Sequence, residues 1–199
     1  MNPAFALNSG KEKPVVLWWG RFDPAYSRNR VLRQLLAELG WQVRDFYPEL
    51  SGLGDWEARL RRIERPDLVW VPCFRQRDLA AASRWAQKMG VPLLFDPLIS
   101  AYDKQVDERV KLNPASLRAK RLLAWERSLF KRASRVLADT PVHADYFTRV
   151  LGVPEKNLAV VYVGAESARF KPEPLASRAE GGPLEVLFYG SFIPLQAPQ

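Results

Sequence analysis

Between Val15 and Trp19 the chain reads Val-Val-Leu-Trp-Trp, an unbroken apolar run closed by Gly20. A strand with one face in water alternates polar and apolar residues, so a run with no polar face has to be covered on both sides, which is the condition of a parallel sheet joined by helices. The following residues supply such a helix. Val31, Leu32, Leu35, Leu36 and Leu39 recur at helical spacing, Ser27 is placed to cap the start, and Gly40 can take the left-handed position just past the end. A weaker strand pattern at residues 41–47 is followed by a short amphipathic helix through Trp56, Leu60 and Ile63. Leu68–Val71 is a third strand, Leu79–Met89 a helix closed by Gly90, and residues 92–95 a fourth strand. After a long connection at residues 96–114, Asn113 and Pro114 are expected to cap a helix with the stripe Leu122, Trp125, Leu129 and Ala133. Arg135–Ala138, a helix at 141–151 closed by Gly152 and a strand at 158–163 complete the series. This rhythm predicts an α/β, Rossmann-like domain: a doubly wound parallel sheet with helices on both faces and right-handed crossovers.

A chain of 199 residues, 47% of them apolar and 12% aromatic, is enough for one well-buried domain, expected at residues 14–172 behind a flexible tail at 1–13. Lys and Arg number 30 against 22 acidic residues, a net charge of +8, so some face should attract phosphate in nucleic acid, anionic lipid or a nucleotide sugar. Cys73 is the only cysteine, which precludes an intrachain disulfide and suits a reducing compartment. The longest apolar runs fall far short of the roughly 20 residues of a membrane span, and a cytoplasmic protein, at most peripheral at the inner membrane face, is expected.

Open α/β sheets bind ligands at the carboxyl ends of their strands. The first such loop is Gly20, Arg21, Phe22 and Asp23, where Gly20 permits close backbone approach and Arg21 can pair with a phosphate through two N–H groups. The plainer reading is a tight turn at Gly20 with Asp23 and Pro24 opening the helix. No second glycine completes G-x-G-x-x-G, so a nicotinamide-dinucleotide site is ruled out by its own fingerprint. Asp96 ends the fourth strand, where a carboxylate can accept a hydrogen bond from an acceptor hydroxyl, although Asp-Pro is also an ordinary strand exit. Tyr102, Asp103 and Lys104 share that edge within the long connection. His143, the only histidine, has no second His or Cys at ligand spacing and reads as a solvated helix-start residue, with Thr140 as the cap. Six cations near Trp125 could track phosphates or anionic headgroups, but core packing is the default for a tryptophan on an apolar stripe.

At residues 158–190 an apolar strand and a Gly164 turn lead into a Pro, Ser and Gly-rich connector at 173–183, then a fresh strand-like run at 185–189. Gly164, Ala165, Glu166, Phe170 and Pro172 stand at five positions of the pattern N-G-V-D-x-x-x-F-x-P, and Gly190 and Pro194 at those of G-R-L-x-P-x-K-G. In these residues the chain resembles the family 4 glycosyltransferases, two-domain enzymes of the GT-B fold. It departs from the pattern at Val163, Ser191 and Gln196, where the family carries Asn, Arg and Lys.

The resemblance implies that residues 14–172 form the N-terminal, acceptor-side half of such an enzyme and residues 184–199 the first strand and loop of a truncated donor-side half. The whole enzyme would then transfer a sugar from a nucleotide-diphosphate donor to an acceptor hydroxyl, as a hexosyltransferase, with retention and without a metal or other cofactor. It implies Asp96 as the catalytic carboxylate, Gly20, Arg21, Gly190 and Ser191 around the donor phosphates, and Tyr102, Asp103 and Lys104 against a sugar or lipid-linked acceptor. The chain alone is expected to be a monomer and inactive, because the family's E-x7-E element belongs to the other half. The alternative is a non-enzymatic, doubly wound binding module with a basic phosphate-binding surface. No DNA- or RNA-binding module motif is present, which argues against nucleic acid; peripheral contact with an anionic membrane is compatible with either reading.

Overall fold

The computed structural model describes residues 13–166 and 169–171. The connector and the strand-like run at 185–189 lie outside the described residues, as does nearly all of the expected tail. Six parallel strands form one sheet in the order β2-β1-β3-β4-β5-β6, comprising β1 (Val15–Trp19), β2 (Gln42–Phe46), β3 (Leu68–Val71), β4 (Leu93–Phe95), β5 (Arg135–Ala138) and β6 (Leu158–Val160). The doubly wound parallel sheet expected from the apolar runs is present. Val16 pairs with Val43 of β2 on one side and Leu68 of β3 on the other, so the winding direction reverses at β1. Such a reversal opens a crevice at the carboxyl ends of β1 and β3.

The alternation of side chains explains why β1 needs no polar residue. Val16 and Trp18 point to one face, where they pack with Leu68, Trp70, Leu94 and Leu137 under Leu32 and Leu36 of α1 (Ser27–Glu38). Leu17 and Trp19 point to the other, joining Val69, Val71, Phe95 and Val136 beneath α2 (Gly54–Leu60), α3 (Leu79–Met89), α4 (Leu117–Phe130) and α5 (Pro141–Arg149). Trp18 stacks on Trp70 with centroids 4.9 Å apart, and Trp19 meets Phe46 edge-on at 4.5 Å. Each large apolar side chain so buried contributes about 1.5–3 kcal/mol. These two faces, rather than helix propensity, hold the layers together.

Local expectations in three helices are corrected. In α1, Tyr26 is the N-cap and no side chain caps the helix; instead Asp23 accepts the Ala25 N–H at 2.8 Å and, through its carbonyl, the Asn29 side-chain amide at 2.8 Å. In α2 the buried residues are Gly54 and Ala58, while Trp56 and Leu60 are 60% and 82% exposed. Gly54 sets that orientation, because a Cβ there would lie 2.9 Å from Trp19 Cζ2 and 3.1 Å from Pro48 Cβ, so backbone packs where a large side chain was expected. In α4 the cap is Ser116, which accepts the Ala119 N–H, and Asn113 only closes a turn onto Ala115. The buried residues of α4 are Ala119, Glu126, Leu129 and Phe130, which rotates the expected stripe and leaves Trp125 38% exposed.

Candidate active site at the carboxyl ends of the strands

The carboxyl ends of β1, β3, β4 and β5 deliver Gly20, Cys73, Asp96 and Asp139 to one edge of the sheet. Asp96 was expected to face an open cleft, but its side chain is fully buried. Arg28 of α1, itself 2% exposed, donates through Nε to both Asp96 carboxylate oxygens at 2.8 and 2.9 Å, and through Nη1 to the Val161 carbonyl at 3.0 Å. Burial pushes the Asp96 carboxyl up from its ordinary value and the Arg28 hydrogen bond opposes that shift. Arg28 Nη2 is buried with no partner among the described residues. Asn29 extends this floor by accepting from the Cys73 thiol at 3.4 Å. Burial, reinforced by the Asp96 charge, pushes that thiol up to about 12, so it stays protonated near neutral pH and is a poor nucleophile.

Beside the floor stands a pair made of His143, which reads from the sequence as solvated, and Asp139, which the sequence did not single out. Thr140 caps α5 by accepting the His143 N–H at 3.2 Å, and that cap sets His143 one turn past Asp139, whose carboxylate holds imidazole Nδ1. The ring lies nearly parallel to Phe147, at 17°. With Nδ1 committed to a carboxylate, Nε2 is the atom left to meet a ligand, as acceptor in the neutral ring or donor in the charged one. Asp103 approaches from the long connection; burial, then the Asp107 charge, pushes its carboxyl up, with His143 acting in the opposite direction. Tyr146 donates to Asp107 at 3.3 Å, which ties α5 to the same connection.

The rim is aromatic. Phe74, exposed just past β3, has φ of +64°, and Leu98 just past β4 has +63°, left-handed values that cost a bulky residue about 1–3 kcal/mol and collect at binding sites. Phe74 meets Tyr26 edge-on at 5.3 Å, and Lys104 Nζ stands 5.9 Å from the Phe74 ring.

The structure therefore brings together Asp96, Asp103 and Lys104 from the expected set and separates Arg21 from them. The Arg21 guanidinium donates to the Pro48 carbonyl at 3.0 Å and pairs with Glu49, beyond the end of β2. Gly20 is buried at φ +125°, and a Cβ there would lie 3.2 Å from Arg75 Cγ, Arg75 Nε and Asp78 Oδ2. Its missing side chain makes room for the Arg75–Asp78 ion pair, not for an open phosphate seat. Gly190 and Ser191 lie outside the described residues. Tyr102 opens the segment that continues as a π-helical turn, Asp103–Glu108. Glu126 of α4, fully buried, fixes that start: it accepts from the Ala101 N–H at 2.6 Å, the Tyr102 N–H at 2.9 Å and Ser100 Oγ at 2.6 Å. Burial pushes its carboxyl up, and the Ser100 and amide hydrogen bonds oppose the shift.

Among the described residues no three His, Cys, Asp or Glu side chains are arranged to hold a metal ion. A hollow lined by Ala144, Asp145, Thr148, Glu155 and Leu158 lies at the start of β6, the amino end of the sheet, and so belongs to no strand-end site. Sequence reasoning passed over Tyr26, Phe74 and Asp139, and set His143 aside as solvated. The signals available were Asp139 at the end of a predicted strand and His143 four residues on, one helical turn away.

A family profile described as "Glycosyl transferase 4-like domain" matches residues 14–164. No curated protein matches the chain. Among solved structures, the crystal structure of Anabaena Alr3699/HepE in complex with UDP aligns at 16% identity with a TM-score of 0.46. That alignment covers 81% of this chain and 47% of the other, so the chain spans about half the length of that protein.

Proposed function

The chain belongs to the glycosyl transferase 4-like domain family, and from that premise we propose that it forms the acceptor-side half of a two-domain GT-B glycosyltransferase. The whole enzyme transfers a sugar from a nucleotide-diphosphate donor to an acceptor hydroxyl, with retention and without a metal ion. The observation that carries the reading is the family match over nearly the whole described domain; the polar cluster at the strand ends supports seating the acceptor there.

In this reading His143 Nε2 hydrogen-bonds a hydroxyl of the sugar being transferred, while Asp139 fixes the ring through Nδ1. Tyr26 and Phe74 offer flat apolar surfaces to the faces of sugar rings, and Tyr102, Asp103 and Lys104 meet the acceptor's hydroxyls. Asp96 is a positioning residue: both its oxygens are held by Arg28, so it shapes the floor and takes no proton from the acceptor. The leaving diphosphate is neutralised by the donor-side half, because Arg21 is already engaged by Glu49.

The test uses the full-length protein, a panel of nucleoside-diphosphate sugars and measurement of nucleoside diphosphate released with acceptor present. His143→Ala is expected to lower kcat/KM by about 10–100-fold, the worth of one charge-assisted hydrogen bond, with an unchanged melting temperature. Arg21→Ala is expected to stay within about threefold of wild type, in keeping with its surface ion pair. Release from no donor, together with no binding of any donor, would favour the non-enzymatic binding module instead.

A further inference from the structure

We propose that the outward face of α4, together with the loop at 109–111 before it, docks on an anionic lipid bilayer; the inference stands independently of the transferase reading.

This face gathers several unpaired cations where α2 and α3 leave one each, Arg59 and Lys88, without a carboxylate partner among the described residues. All three arginines of α1 are paired with carboxylates, as are Arg84 of α3 and Arg149 of α5. Arg118, Lys120 and Arg121 of α4, and Lys131 and Arg132 just beyond it, are all exposed and have no carboxylate partner among the described residues. The one acid of the helix, Glu126, points inward and is used up by Ser100 and two amides. The outward face therefore holds cations with no negative charge among them. It cannot serve a second copy of itself, because like charges would meet across that contact.

The apolar residues on this face and in the loop before it choose between phosphate-bearing partners. Leu117, Arg121 and Trp125 succeed one another at four-residue spacing, which places them along one ridge of the helix surface, running from the side opposite Glu126 at Leu117 to its flank at Trp125. Leu117 is 71% exposed, and Val110 in the preceding loop is 76% exposed. A nucleic-acid backbone has nothing to offer two exposed aliphatic side chains, and single strands require a series of aromatic platforms where this face has only Trp125. A bilayer interface uses all three types: aliphatic side chains enter the acyl boundary, tryptophan sits at headgroup level and cations meet anionic headgroups. No helix among the described residues is long and apolar enough to cross a membrane, so the contact is interfacial. Because Glu126 ties the opposite side of α4 to residues 100–102, docking would hold the crevice edge at a fixed height above the lipid.

The test is co-sedimentation of the full chain with phosphatidylcholine vesicles and with vesicles of equal parts phosphatidylcholine and phosphatidylglycerol. Binding is expected only to the anionic vesicles and should weaken with added salt. Each cation near such a surface is worth roughly fivefold in affinity, so Arg121→Gln/Arg132→Gln should weaken binding roughly 25-fold, with an unchanged circular dichroism spectrum and melting temperature. Trp125→Ala should weaken it at constant charge, while Arg149→Gln, a paired cation on α5, should change it little. Equal binding to neutral vesicles, or wild-type affinity in the double variant, would overturn the proposal. So would an unchanged Trp125→Ala variant, which would leave only bare charge attraction, or an oligonucleotide bound more tightly than vesicles and lost in the same double variant.

Discussion

Helices α1 and α4 are similar in length and both rich in arginine, yet they use that residue in opposite ways. In α1, Arg28 is buried against Asp96, Arg30 reaches both oxygens of Glu166 at 2.9 Å, and Arg33 pairs with Asp45 while lying over the rings of Trp18 and Phe22. Each clamps α1 to a distant part of the chain. In α4, Arg118, Lys120 and Arg121 are exposed with no carboxylate partner among the described residues, Arg127 donates to the Val150 carbonyl at 2.7 Å, and the single carboxylate points in. The contrast shows that cation content says little about a helix's role until the positions of the carboxylates are known: paired, an arginine locks the fold; unpaired, it is available to a partner.

The contrast breaks most visibly at Arg28. Arg28→Ala leaves the Asp96 carboxylate buried and alone, and should cost about 3–5 kcal/mol by urea denaturation. The double replacement Arg28→Met/Asp96→Leu should recover most of that loss, because an apolar pair of similar volume needs no desolvation; a double-mutant cycle in which the two losses simply add would sink this account of the clamp.

The inward side of α4 comes next. Glu126→Ala strands the Ala101 and Tyr102 amides and should cost about 2–3 kcal/mol, with amide exchange accelerating at residues 101–103. Glu126→Gln allows a pH test. Burial raises the Glu126 carboxyl, so its stabilising contribution is complete below the ordinary glutamate range and is lost as pH rises through the raised value. The stability gap between wild type and Glu126→Gln should therefore narrow as pH climbs just above that range. A gap that widened would mean that the amide hydrogen bonds outweigh desolvation.

Smaller effects sharpen the comparison. Arg33→Ala removes a half-exposed ion pair and the cover over two aromatic rings, and should lower stability by about 1 kcal/mol. Arg118→Ala, Lys120→Ala and Arg132→Ala should each stay within about 0.5 kcal/mol of wild type in thermal melts. A larger loss at any of them would reveal a folded-state partner and remove that cation from the free face.

Why some of this was legible in the sequence and some was not follows from the range of the interactions. The strands were visible because an apolar run such as Val15–Trp19 reports its own burial, and Gly90, at φ +63°, marks a helix end without outside help. The Thr140 cap was legible for the same reason, its partner lying three residues away. The inward face of α4 was not, because periodicity ranks Trp125 above Glu126 for the core. Only the segment 100–102, some 25 positions earlier, makes a buried glutamate tolerable, through the Ser100 hydroxyl and the Ala101 and Tyr102 amides. Asp96 was misjudged likewise: its place at a strand end was right, but the partner that buries it lies 68 positions away on α1. Arg21 and Glu49 tell the same story in reverse, since a residue in a promising loop was already engaged by a carboxylate beyond the second strand.

The position of β1 between β2 and β3, inside the sheet, also carries a cost that appears only while the chain is being made. β1 leaves the ribosome first, with two tryptophans in a row, but its inner partner β3 begins only at Leu68, about 50 residues later, or roughly 3–10 seconds at ordinary elongation rates. Hydrophobic collapse takes microseconds. For those seconds Val15–Trp19 can be covered only by β2, α1 and, once it is made, the short α2, and its other edge is open to any neighbouring nascent chain. Synonymous codon changes that slow translation between residues 47 and 68 should therefore raise the insoluble fraction of a protein whose finished structure is unaltered.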